Sequence, residues 1–191
     1  MSINQFNKAI LASIILSSLI PVSASSRFWN ETPQQAATEY GYIFDERSNK
    51  ERVTVKWFAA PSVKKDSSTY KFLEQYLVII VVHAHHQPNG TVSYDNISTL
   101  EARGSDGKLL TLIPKDALPP AAASLITYWE TQARQSQGQE GSGTKFFTFD
   151  AGTVRACEKG ELSIPLDGET YTWNTPFPGC PPQEAEGEKK Q

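Results

Sequence analysis

Between Leu77 and Val82 the chain reads LVIIVV, apolar on both faces of an extended backbone. A strand buried on two sides is normally central in its sheet, with a layer packed over each face. The run is rich in β-branched residues, which favours strand over helix. The segment YKFLEQYLVIIVVHAHH (Tyr70 to His86) is therefore predicted to be one long strand, stopped by the turn signal QPNGT. Just upstream, RVTVKWF (Arg52 to Phe58) sets Val53, Val55 and Trp57 on one face and Thr54, Lys56 and Phe58 on the other. YIFDE precedes it across the turn-rich RSNKE, and the two predict an antiparallel hairpin.

Short runs of the same kind recur downstream. ISTLEAR and KLLTLI flank GSDG, FFTFD and VRAC flank AGT, and LSI and TYTW flank PLDGE, whose Asp167-Gly168 favours a tight turn. Two segments follow a helical period instead. Thr32, Pro33 and Gln35 form a capping-box start for a short helix that Gly41 ends. In PPAAASLITYWETQARQSQG, the residues Ala122, Leu125, Ile126, Trp129 and Ala133 make an apolar stripe, which most simply covers the open face of the sheet. The glycine-rich QSQGQEGSGTK (Gln135 to Lys145) lacks phosphate-loop spacing and reads as a flexible connector. The expected fold is mainly β: an antiparallel, sandwich-like domain with one amphipathic helix packed on the sheet and one disulfide.

The first 24 residues break this pattern. Lys8, the 12-residue apolar stretch Ala9 to Ile20, Pro21 and the small residues Val22 to Ala24 follow the order of a cleaved export signal. A membrane anchor would need about 20 apolar residues. The predicted organisation is a signal peptide over 1–24, a single β-rich domain over 25–182 and a disordered charged tail over 183–191. The expected location is the periplasm or the extracellular space, with no transmembrane anchor after cleavage. Loss of Lys8 leaves 17 basic residues against 21 acidic ones, a net charge of −4. With no basic patch, nucleic acid is excluded as a partner class. In an oxidising compartment the two cysteines, Cys157 and Cys180, are expected to form a structural bridge.

All three histidines fall within VVHAHHQPNG: His83, His85 and His86. On a strand His83 and His85 share a face, with Cα atoms about 6.6 Å apart, and His86 points the other way unless the strand end lets it swing round. Two imidazoles at that spacing suit Cu(II) or Zn(II), with Asp95 or Glu101 as candidate further ligands. The plainer reading makes His83 a hydrogen-bonded residue at the core's edge, because it continues the face of Leu77, Ile79 and Val81. No catalytic residue is assigned: there is no G-x-S-x-G elbow, and the adjacent acids Asp45 and Glu46 face opposite ways on a strand. Large aromatics such as Trp57, Trp129 and Trp173 are expected to fill the core.

Three functions follow in order of preference. The first is an exported, non-enzymatic binding module whose partner is a protein or a cell-envelope component. The second is a histidine-based Cu or Zn binder using His83, His85 and His86. The third is a secreted hydrolase whose triad is assembled only in three dimensions.

Overall fold

The computed structural model describes residues 31–182, so the expected signal peptide and the charged tail lie outside the described residues. The chain opens with α1 (Pro33–Tyr40), started by the reciprocal Thr32–Gln35 capping box that the sequence implied. The hairpin β1 (Tyr42–Ser48) and β2 (Glu51–Phe58) follows, then α2 (Ser68–Gln75), β3 (Tyr76–His86) and β4 (Val92–Tyr94). Next come β5 (Arg103–Gly104), β6 (Leu112–Ile113), α3 (Pro120–Ser136), α4 (Gln139–Gly143) and β7 (Lys145–Asp150). The hairpin β8 (Gly160–Leu166) and β9 (Glu169–Thr175) ends the described fold.

These strands form two antiparallel sheets. The larger has the order β1-β2-β3-β7-β6, with β4 paired to β3 as well, and the smaller is β5-β8-β9. β3 is central because it is long enough to use both edges. Residues 78–85 pair with β2, while its other edge takes β7 along residues 76–81 and β4 along 84–86.

Alternation along the strands divides the core in two. Val53, Val55, Trp57, Leu77, Ile79, Val81, Phe147 and Phe149 face the smaller sheet, which answers with Leu162, Ile164, Tyr171 and Trp173. The opposite face carries Val78, Ile80, Phe58 and Phe146 and is roofed by Phe72 and Leu73 of α2 and by Ala122, Ile126 and Trp129 of α3. The two-sided burial read from LVIIVV is thus satisfied by a sheet below and helices above. Each side chain fully buried in this way stabilises the fold by about 1.5–3 kcal/mol.

Four local expectations need correction. Residues 68–75 are helix rather than the start of a strand. Ser67 caps the turn by accepting from the Tyr70 N–H at 3.0 Å, and a helical backbone lets Phe72 reach both Tyr76 and Trp129. The hairpin across GSDG is present only in reduced form, as the Arg103–Leu109 bridge and the Leu110 N–H donation to the Ala102 carbonyl; in ISTLEAR only Arg103 belongs to a strand, although Leu100 and Ala102 are buried in the core. VRAC is a turn, tied instead by Phe177 N–H donation to the Ala156 carbonyl and by the Cys157–Cys180 disulfide. The glycine-rich connector contains α4, packed tightly: a Cβ on Gly141 would strike the Ala133 carbonyl, and one on Gly143 the Tyr94 ring. Those glycines serve close approach rather than flexibility.

Candidate functional site

The apolar rows facing the smaller sheet end abruptly at one edge of the core. Asp45 of β1 sits beside Val53 of β2, which sits beside His83 of β3, and the next row outward pairs Glu51 with His85. Ile43, Asp45 and Arg47 share a face of β1, so polar groups from three neighbouring strands converge where the two sheets part. Two loops complete the cluster. The Asp95 N–H donates to the His83 carbonyl at 3.1 Å, which fixes Asp95 beside the imidazole. Asp167 and Gly168 both take positive φ, 50° and 83°, in the two-residue turn joining β8 to β9. The Asp-Gly signal for a tight hairpin therefore also delivers a carboxylate.

His83 lies at the centre and is 4% exposed. Its Nε2 is 3.0 Å from Glu51 Oε1 in a hydrogen bond. On the other side of the ring, Nδ1 is 2.9 Å from Asp95 Oδ2 and 3.1 Å from Asp167 Oδ2. Neither of those oxygens lies in line for a hydrogen bond, and Nδ1 is a buried polar atom with no such partner among the described residues. His85 Nε2 stands 3.1 Å from Asp95 Oδ1, and the two imidazole centroids are 4.6 Å apart. Each imidazole thus faces carboxylates.

A second network adjoins the first. Arg47, 17% exposed, donates to Asp45 Oδ2 at 3.1 Å, to Glu51 Oε1 at 3.4 Å, to the Leu166 carbonyl at 3.3 Å and to the Tyr171 hydroxyl at 2.9 Å. Tyr171 in turn donates to Asp45 Oδ2 at 2.8 Å. The Tyr171 hydrogen bond, seconded by Arg47, holds the Asp45 carboxyl below its usual range. The His83 hydrogen bond does the same for Glu51. Burial, with help from Asp45, pushes the Tyr171 phenol up to about 12.

The charge balance is lopsided. Asp45, Glu51, Asp95 and Asp167 bring four carboxylates against the single guanidinium of Arg47. Two groups each bring three ligand atoms within 4.8 Å of one another: Glu51, His83 and His85, and His83, Asp95 and Asp167. Donation of Nε2–H to Glu51 would set the tautomer that leaves the Nδ1 lone pair for a cation, the arrangement carboxylate partners impose on metal-binding histidines.

Of the histidines singled out in the sequence, His83 and His85 are brought together. His86 belongs to the opposite face, half-buried, and is in neither group. Of the two candidate acids, Asp95 arrives at the site, whereas Glu101 pairs with Arg103 at 2.9 Å. Glu51, Asp167, Arg47 and Tyr171 escaped sequence reasoning. A signal for Glu51 and Arg47 existed, because each is a charged residue in phase with the buried face of its strand. Asp167 and Tyr171 carried none, because their place depends on how the second sheet docks. Compared with known proteins, the chain matches no family model, no curated protein and no solved structure.

Proposed function

We propose that the protein is an exported binding module whose ligand is a divalent transition metal. The ion would be held by His83 Nδ1, Asp95 and Asp167, with His85 Nε2 beside them and Glu51 orienting His83 from behind. Export is supported by the order of the first 24 residues and by the disulfide. Among the described residues no helix is long and apolar enough to cross a membrane.

One observation carries the metal reading. A buried imidazole nitrogen stands 2.9 and 3.1 Å from two carboxylate oxygens without a hydrogen bond to either. Atoms each about 2.0–2.2 Å from a shared ion lie ~2.9–3.5 Å from one another at tetrahedral to octahedral angles. The distances alone would suit a hydrogen bond, but the oxygens are not aligned with the ring nitrogen for one, and the same separations fit neighbouring ligands of one ion. Four carboxylates gathered around one guanidinium, each still partly open to solvent, repel one another, and a bound cation would offset that repulsion. A mixed imidazole and carboxylate set suits Zn(II), Cu(II) or Ni(II).

The test is metal analysis after stripping with a chelator and dialysis against Zn(II) or Cu(II). The expected result is one ion per wild-type chain and an unchanged count for His86→Ala. Asp167→Asn keeps a residue that tolerates positive φ, so it preserves the turn while removing a charge. It should bind at least tenfold more weakly, and Glu51→Gln about 10–100-fold. Negligible metal in the wild type, or equal metal in the wild type and Asp167→Asn, would overturn the reading.

A further inference from the structure

The even-numbered side chains of β1, β2 and β3 face away from the smaller sheet. The helices roof this surface over Val78 and Ile80, but α3 runs out at Ser136 before it covers the outer rows. What remains is a groove of 360 Å³ between Tyr42, Phe44, Lys56, Ile80, Val82 and Phe146, with Ala133 and Gln137 also in its lining. That volume lies at the lower end of the roughly 300–1,000 Å³ typical of small-molecule sites.

Its lining divides by chemistry. Ile80, Val82 and Phe146 make an apolar floor and wall. Tyr42 and Phe44 stand two residues apart on β1 with rings parallel to within 5° and centroids 5.4 Å apart, and Phe44 is 67% exposed. Lys56 brings a positive charge to the groove. Its Nζ donates to the Tyr42 hydroxyl at 3.0 Å and sits 4.1 Å over the Tyr42 ring and 5.2 Å over the Phe58 ring. Among the described residues no carboxylate pairs with it, and no acid lines the groove. Arg52 also lines the groove and makes an interaction of its own, whereas Lys56 is the cation held between two aromatic rings. The aromatic faces hold the ammonium in place, so less side-chain freedom is lost when an anion meets it.

We infer that this groove binds a small amphipathic carboxylate, its carboxylate on Lys56 Nζ and its apolar body along Phe44, Phe146, Ile80 and Val82. The charge sign excludes a cationic ligand, and a fixed cation beside an apolar floor favours an acid over an alcohol of the same length. The groove lies on the face opposite His83, so this proposal stands or falls independently of the metal reading.

Octanoate is the probe, with octanol and octylamine as uncharged and cationic analogues, measured by isothermal titration on the purified chain. Octanoate should bind once per chain and at least tenfold more tightly than octanol, as a charge-assisted contact implies. Lys56→Met should bring octanoate down to the affinity of octanol. Thr54→Glu places a carboxylate on the same face and should abolish octanoate binding in a chain that keeps Lys56. His83→Ala should leave octanoate affinity unchanged. Equal binding of octanoate and octanol to the wild type, tighter binding of octylamine, or octanoate affinity unaltered by both groove substitutions would overturn the proposal.

Discussion

Replacing Tyr171 by phenylalanine removes one oxygen and leaves the ring, so the core between the sheets keeps its packing. Tyr171 belongs to the smaller sheet, whereas its partners Asp45 and Arg47 belong to the edge strand of the larger one. Its hydroxyl gives a hydrogen bond to Asp45 at 2.8 Å and takes one from Arg47 at 2.9 Å. Each hydrogen bond to a charged group is worth about 1.5–3 kcal/mol when buried. The sum is an overestimate, because Asp45 and Arg47 still meet at 3.1 Å without Tyr171 and water reaches both, at 30% and 17% exposure. A net loss of about 1.5–3 kcal/mol is therefore expected for Tyr171→Phe. For a chain of this size that lowers the melting temperature by roughly 3–12 °C.

The same hydroxyl has a pH signature. Its pKa is raised to about 12 in the folded chain, from about 10 when unfolded. Folding therefore favours the neutral phenol. This contribution is complete below pH 10 and is lost as pH rises through 12. Urea unfolding of wild type and Tyr171→Phe between pH 7 and 12 reads both effects. The wild type should lose stability over the alkaline window more steeply than the variant. A double-mutant cycle with Asp45→Asn should show coupling of at least about 0.5 kcal/mol. Melting within 1–2 °C of wild type, roughly the shift of a neutral surface substitution, together with parallel alkaline slopes, would refute the claim that this hydroxyl ties the two sheets together.

Two further expectations concern stability. Cys157 and Cys180 are 23 residues apart, so replacing both with serine should destabilise the chain by about 3.5 kcal/mol on the chain-entropy model, read as a lowered urea midpoint. Gly143→Ala drives a methyl group into the Tyr94 ring and should cost about 1–3 kcal/mol, whereas Ala at a position with open space and ordinary φ would cost little; thermal melts of the variant and wild type decide this.

Much of the architecture was readable because it rests on short-range rules. Alternation in RVTVKWF, the Asp167-Gly168 turn and the Thr32–Gln35 box each act within a few residues and kept their meaning in the folded chain. Reading failed where a local signal competed with a distant partner. Tyr70 to Gln75 alternates well enough for a strand, but Phe72 gains Trp129 of α3 only from a helix. Gly141 and Gly143 imply looseness until Ala133 and Tyr94 are placed against them.

The candidate site divides along the same line. Period-two alternation put His83 and His85 on one face and His86 on the other, and the double-sided apolar run required a layer above and below, so these points were settled by the order of residues. Which carboxylates meet the imidazoles was not. Asp95 and Asp167 lie 12 and 84 residues beyond His83 and approach it only because a short strand turns back along β3 and a second sheet docks beneath it. Such encounters depend on how whole surfaces pack, and no local rule of spacing or charge encodes them.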